Sequence, residues 1–476
     1  MPTHSEHPSR TGLLTRGLMR PTFRRSLVVV LAALSFVGCQ NDLTLPNYNS
    51  ATVEGLSKDP AGLQLAATGV LVSERNNYTG RIRDITIFGR EGYYYFATDG
   101  RFVTDYLIGT GSGLSNTGFA SGNWFGFFRN MRNAVNLVSA AEGSALSSGQ
   151  KAAVRGFANT FRALDMYYAI TLRDSLGMPV EILANPSDQA SFVSRNDVYT
   201  RISTILDSAK TDLAAAGATA FPFALHSGFS GFTTGATFLK FNRAIAARVL
   251  AARGSLECGN ACYTQALAAV GESFVAPAAS LADLNVGTYN VYSSASGDAL
   301  NTLSSANDPN FVAHASFVAD VQKKPDGSND ARLGRKIAPL AAPRSGNPQA
   351  RSIPATQGFI GYGSNTTPTP IIRNEELLLI RAEANLRLGN VPAALVDLNN
   401  VRAVSGGLAP LATATIDDLL YERRYSLLLE GFRWLDARRF GKLGTLPLDL
   451  PIHFVARVVP IPKAECDVRD TKPNGC

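Results

Sequence analysis

The stretch ERRYSLLLEGFRWLDARR, Glu422–Arg439, carries more information than any other part of this chain. It sets charged side chains among Leu, Phe and Trp at three- and four-residue steps. It therefore reads as part of one amphipathic helix, which we place over Ile416–Phe440. On that helix Leu420, Leu427, Gly431, Leu435 and Arg438 fall near one face, and Gly431 lets a second helix approach closely. Arg433–Asp436 and Asp436–Arg439 form i,i+3 pairs, each worth roughly a few tenths of a kcal/mol if exposed.

Working outward, the segment AEANLRLGNVPAALVDLN has the pattern of a tetratricopeptide-type hairpin. Its helices are predicted at Asn374–Leu388 and Val391–Ala403, with small Ala residues where the two approach and Gly389-Asn390 at the turn. Upstream, apolar spacing predicts helices over Pro60–Val72, Trp124–Ala140, Ser148–Arg173, Asn196–Ala215, Phe238–Arg253 and Cys262–Val270. Ser147 or Ser148 supplies an N-cap for the third of these, and Gly177 and Pro179 stop it. Helical pairs thus cover about residues 124–271 and 372–440. Arg81–Leu107 differs, with β-branched residues and the aromatic run Tyr93–Phe96, and Thr110–Gly122 reads as loop. Residues 272–370 are rich in Ser, Gly, Asn, Pro and Ala and read as a loop-rich insert in a helical scaffold.

Several pieces of this pattern agree with one family. The run RNEELLLIRAEANLRLGN (Arg373–Asn390), the opening stretch and PIPKAE (Pro460–Glu465) together resemble the C-terminal signature of the SusD/RagB family. GMPVEI after the long helix, TTGATFLKFNRAIAARVLAARG and NDARLGRK (Asn329–Lys336) also resemble family segments. The resemblance is strongest over Arg373–Glu465 and weak over the first hundred residues. It implies a mainly α fold in which tetratricopeptide-like hairpins form a right-handed scaffold around a loop-rich inserted subdomain, here residues 51–476. It also implies an outer-membrane lipoprotein at the cell surface that captures an oligomeric nutrient. The partner so implied is a TonB-dependent transporter of the SusC type, which receives that nutrient.

The N-terminus is consistent with such a location. Arg20, Arg24 and Arg25 precede the apolar run Leu27–Val37, which is too short to span a bilayer. Gly38-Cys39 then resembles a lipobox, with Phe36 where the best examples carry Leu. Residues 1–38 are read as a signal peptide, Cys39 as the lipidated residue anchoring the chain to the membrane, and 39–50 as a tether. Met19 would begin a more compact signal. The net charge of +7 owes much to this segment, because residues 1–38 hold five Arg against one acid. Without them 40 basic side chains face 37 acidic ones, which removes the case for nucleic-acid binding. The five cysteines divide into Cys39 and two local pairs, Cys258/Cys262 and Cys466/Cys476. Disulfides suit an exported chain, and the spacings make a poor zinc pattern, so no metal or cofactor is expected.

A hydrolase needs placed catalytic groups. Glu422 and Glu430 are the tempting carboxylate pair, but on a straight helix they lie about 12 Å apart along the axis. Glycosidase pairs sit about 5.5 to 9.5 Å apart, and both residues are better read as partners of arginines. No recognised hydrolase, metalloprotease or nucleotide-binding motif occurs, and His226, His314 and His453 are each isolated. No enzymatic activity is expected. Sugar sites pair flat aromatic faces with polar edges, which points to Tyr93, Tyr94, Tyr95 and Trp124 with Asp99, Arg101 and Asn123. The chain has two tryptophans, Trp124 and Trp434, few for a glycan specialist, so a peptide or other oligomer stays open beside a glycan. The rival readings are a secreted tetratricopeptide-type scaffold for protein partners and, behind it, a secreted glycoside hydrolase.

Overall fold

A computed structural model of the chain describes residues 59–109, 114–185, 187–347 and 353–476. The expected signal peptide, Cys39 and the expected tether lie outside the described residues.

The fold is mainly α, built as a stack in which each long helix packs on the next. The stack begins with α1 (Pro60–Phe88), α2 (Phe125–Glu142), α3 (Ser148–Arg173), α4 (Arg195–Ala216), α5 (Gly235–Arg253) and α6 (Gly259–Gly271). Next come β2 (Gly287–Asn290), β3 (Phe311–Ala313), α7 (Ala331–Lys336), β4 (Ile337–Arg344), β5 (Ala355–Phe359) and β6 (Thr369–Arg373). The helices resume with α8 (Asn374–Arg387) and α9 (Val391–Val401), then α10 (Ile416–Ser426) and α11 (Arg433–Arg439). Helix α6 packs against α8, so the stack continues across residues 272–373 as though they were absent. Gly389, at φ 80°, turns α8 into α9, as the tetratricopeptide-type pattern predicts.

Helix α3 has the bounds expected of it, because Ser147 and Gln150 form a reciprocal capping box. Helix α1 runs sixteen residues beyond the predicted Val72. The apolar spacing ends before the polar run Ser73–Asn77, but Glu74 and Arg75 are buried. Asn77 donates to Asp165 at 3.0 Å, and Tyr168 donates to Glu74 at 3.3 Å. Partners on α3 thus let a polar helix face enter the core.

The insert carries more structure than its composition suggests. Strand β1 (Gly92–Tyr94), far upstream, pairs antiparallel with β3, and the sheet order is β1-β3-β5-β4. Strands β2 and β6 form a separate antiparallel ribbon. Gly92 is required in β1 because a Cβ there would lie 2.4 Å from the Val312 carbonyl oxygen. The insert is therefore stitched to the N-terminal part by a sheet rather than hung as a loop.

The opening stretch departs most from its expected form. In place of one helix over Ile416–Phe440, α10 ends at Ser426 and α11 starts at Arg433. Leu429 and Gly431 take φ values of 61° and 80° between them. A Cβ on Gly431 would lie 2.5 Å from Ile82 Cδ1, so glycine admits α1 at this turn. The expected Arg433–Asp436 pair does not form. Asp436 accepts from Arg423 at 2.7 Å and pairs with Arg439 at 2.8 Å, whereas the Arg433 guanidinium lies 5.4 Å over the Phe317 ring.

The charges of this stretch are buried and paired over long distances in sequence. Glu422 accepts from Arg332 at 2.5 Å and from Arg402 at 2.7 Å, and Arg332 also grips Asp330 at 2.6 Å. Removing one member of such a group strands the others in a low-dielectric interior. Glu422→Ala is expected to destabilise the fold by about 3–5 kcal/mol in urea unfolding. Lys210→Ala breaks only the exposed Lys210–Glu272 pair and is expected to cost at most about 1 kcal/mol.

Candidate ligand-binding surface

Strand β1 divides the tyrosine run by side-chain alternation. Tyr93 and Tyr95 face inward, 5% and 4% exposed, with ring centroids 5.5 Å apart and nearly parallel. Tyr93 meets the His314 ring edge-on at 5.4 Å. These two tyrosines form the floor of the strand and present no open face. Tyr94 points the other way, and its hydroxyl donates to an Asp308 carboxylate oxygen at 2.5 Å. Burial and that carboxylate push the Tyr94 phenol up to about 12.

An aromatic strip continues from Tyr94. Its ring lies 4.5 Å from Phe102, and Phe102 lies 5.0 Å from Phe119. Phe96 is 40% exposed, 6.3 Å from Tyr94 and close to parallel with it. The Arg83 guanidinium lies 4.9 Å over Phe102, and that of Arg101 lies 4.1 Å over Phe119. Arg101 also pairs with Asp99 at 2.7 Å, and this partner holds the Asp99 carboxyl below its ordinary value. The result is an apolar face edged by Asp99, Arg101 and Asp308, which suits a ring with C–H faces and hydroxyl rims.

The structure brings Tyr94, Asp99 and Arg101 of the predicted residues into this strip. Trp124 and Asn123 lie elsewhere. Trp124 is 1% exposed, stacked on Phe192 at 5.9 Å, and its indole N–H donates to Glu465 at 3.2 Å. Asn123 donates to the buried Asp84 carboxylate. Both groups join the ends of α2 and α3 to neighbouring elements, so they face inward. Phe96, Phe102, Phe119 and Asp308 were missed. Phe96 was readable from the two-residue alternation that pairs it with Tyr94, whereas Asp308 comes from the distant insert.

The two carboxylates weighed and set aside as a hydrolytic pair are both held by arginines, as the sequence reading expects. Glu422 holds Arg332 and Arg402, while Glu430 accepts from Arg373 at 2.8 Å. Among the described residues no group of His, Cys, Asp and Glu is arranged to hold a metal ion. No helix among them is long and apolar enough to cross a membrane.

Residues 340–471 match the model of the SusD family. A SusD superfamily protein from Bacteroides vulgatus superposes with a TM-score of 0.67 at 15% identity, covering 88% of this chain and 99% of that one. Over residues 340–471 the chain matches the SusD family, and its fold is that of the SusD superfamily structures. Surface glycan-binding protein A from Bacteroides uniformis gives 0.62 at 15% identity, covering 86% of this chain and 99% of its own. A laminarin-binding SusD-like protein gives 0.59 at 17% identity, with coverages of 86% and 99%. No curated protein matches the chain.

Both expected disulfides are formed, Cys258–Cys262 at the start of α6 and Cys466–Cys476 near the C-terminus. Beneath the aromatic strip lies a buried polar cluster. Burial pushes His314 down to about 3, with Arg433, Arg90 and Arg424 adding to the effect. The ring is therefore neutral at pH 7, with Nδ1 accepting from the Ser316 N–H at 3.0 Å and Nε2 3.1 Å from Asp449. Glu91, next to β1, is 1% exposed, and burial pushes its carboxyl up to about 8. Folded Glu91 keeps a proton that the unfolded chain releases near the ordinary value of 4.5, so its contribution to stability is lost as pH rises through about 8. Glu91→Gln mimics the protonated form. Its melting temperature is expected to gain on the parent protein from pH 5 to about pH 8 and to level off above that, as differential scanning calorimetry would show.

Proposed function

We propose that this chain is a cell-surface lipoprotein that binds an oligomeric nutrient, a glycan in the first instance, and delivers it to a SusC-like TonB-dependent transporter. The observation that carries the reading is the SusD fold along nearly the whole chain, with an aromatic strip near its N-terminal end that exposes Phe96. Phe96 and the outer edge of Tyr94 would meet the sugar faces, Phe102 and Phe119 would support them from behind, and Asp99, Arg101 and Asp308 would meet the hydroxyl rims. Two similar structures are described as laminarin-binding and as a surface glycan-binding protein, which supports a carbohydrate over a peptide. Binding rather than catalysis fits the pairing of Glu422 and Glu430 with arginines. The lipobox at Cys39 would anchor the chain in the outer membrane, facing outward.

Phe96→Ala and Tyr94→Ala are each expected to weaken the best oligosaccharide on a glycan array by roughly three- to ten-fold, measured by calorimetry. Full affinity in both variants would remove the strip from the binding site. In cells, labelled palmitate is expected to enter the native protein and not Cys39→Ala, and the native protein is expected to co-purify with a large outer-membrane barrel. A stable complex with some other protein and no barrel would favour the scaffold reading.

A further inference from the structure

A second concave site lies away from the tyrosine run, where the turn of the family signature meets the insert. It is a cleft of about 580 Å³, within the range of small-ligand sites. Ribbon β2–β6, the end of α7 and the turn Leu428–Glu430 form its walls. Tyr289, Tyr362, Pro368 and Pro370 supply apolar faces.

Its charges do not cancel. Arg373 binds both carboxylates, Glu430 at 2.8 Å and Glu375 in direct contact. Two further cations line the same cleft. Arg335 spends one guanidinium nitrogen, Nη2, on the Ser405 carbonyl at 2.6 Å and its hydroxyl at 3.3 Å, and among the described residues no acceptor meets Nε or Nη1. The Lys336 ammonium donates to the Ser426 carbonyl and stays 3.9 Å from Glu430. Three cations therefore face two carboxylates. Glu375, 4% exposed, also keeps one carboxylate oxygen, Oε1, without a hydrogen-bond donor.

Each of these features calls for a different part of one ligand. Free guanidinium donors and surplus positive charge call for a carboxylate. A buried acceptor without a donor calls for a hydroxyl. Flat apolar walls call for a ring face. We propose that this cleft binds an acidic sugar unit, with its carboxylate on Arg335 and Lys336 and a ring hydroxyl on Glu375. The proposal rests on the glycan reading above and narrows the nutrient to a polyanionic oligosaccharide. The aromatic strip and the cleft are then two separate subsites, one reading ring faces and the other charge.

The test is calorimetry on the full mature protein with three probes: trigalacturonate, its methyl ester and neutral laminaritriose. Trigalacturonate is expected to bind at least about ten-fold tighter than its ester, and Arg335→Gln is expected to remove that advantage. Arg335 is exposed and its loss breaks no ion pair, so the variant should fold, as its melting temperature would show. Lys336→Gln is expected to weaken trigalacturonate in the same direction. Equal affinity for the acid and the ester, or an unchanged affinity in Arg335→Gln, overturns the assignment. If laminaritriose binds and trigalacturonate does not, the cleft proposal fails while the glycan reading stands. If Arg335-dependent trigalacturonate binding occurs without a transporter partner, the cleft stands and the delivery reading fails.

Discussion

Arg332 has no exposed side-chain surface, and it sits between Asp330 beside it in sequence and Glu422 on α10. Glu422 takes Arg402 on its other oxygen, Asp436 joins Arg423 to Arg439, and Arg439 reaches on to Glu383 of α8. Every long arginine here ends on a carboxylate from a different element. Stripping these groups of water is costly, and only a complete set of partners offsets it. The network can therefore close only when α7, α8, α10 and α11 are all in place. It acts as a check on assembly rather than as a large surplus of stability.

That constraint explains the shape of the signature turn. The chain must leave α10 after Ser426 so that Glu430 can reach Arg373 while Asp436 stays within reach of Arg423. A continuous helix would carry these acids along one axis and away from their partners. Positive φ at Leu429 and Gly431 is the local cost of satisfying both ends. Leu428, Leu429 and Glu430 consequently line the cleft wall, so the element that closes the core also shapes a surface.

The helical scaffold was largely legible in the sequence because apolar spacing and caps are local signals. Ser147, Gln150, Gly177 and Pro179 delimit α3 without reference to the rest of the chain. Local signals misled where tertiary partners reversed the meaning of a residue. The apolar spacing that marks α1 ends before the polar run Ser73–Asn77, yet Glu74 and Asn77 meet Tyr168 and Asp165 inside the fold. The break at Leu429 was hidden because nothing in LLLEG opposes a helix before its glycine. The candidate site was half legible. Alternation along β1 could assign Tyr93 and Tyr95 to one face and Tyr94 to the other, but only pairing with β3 decides which face is inside. Asp308 and Arg335 belong to a segment whose Ser- and Gly-rich composition conceals its strands.

The direct packing of α6 on α8 has a consequence for how such a chain can change. The scaffold treats residues 272–373 as a closed loop, and the entropy of closing a loop grows only with the logarithm of its length. Doubling the insert would cost about 0.6 kcal/mol, less than one misplaced core methylene. Strands β2 to β5, Asp308, Arg335 and Tyr362 all lie in that tolerant segment. The molecule thus separates a helical part whose geometry is nearly fixed from connections within the insert whose length is nearly free, while Asp330, Arg332 and Arg373 of the insert stay tied to the ion-pair network. New surface chemistry can be installed in the second without renegotiating the first.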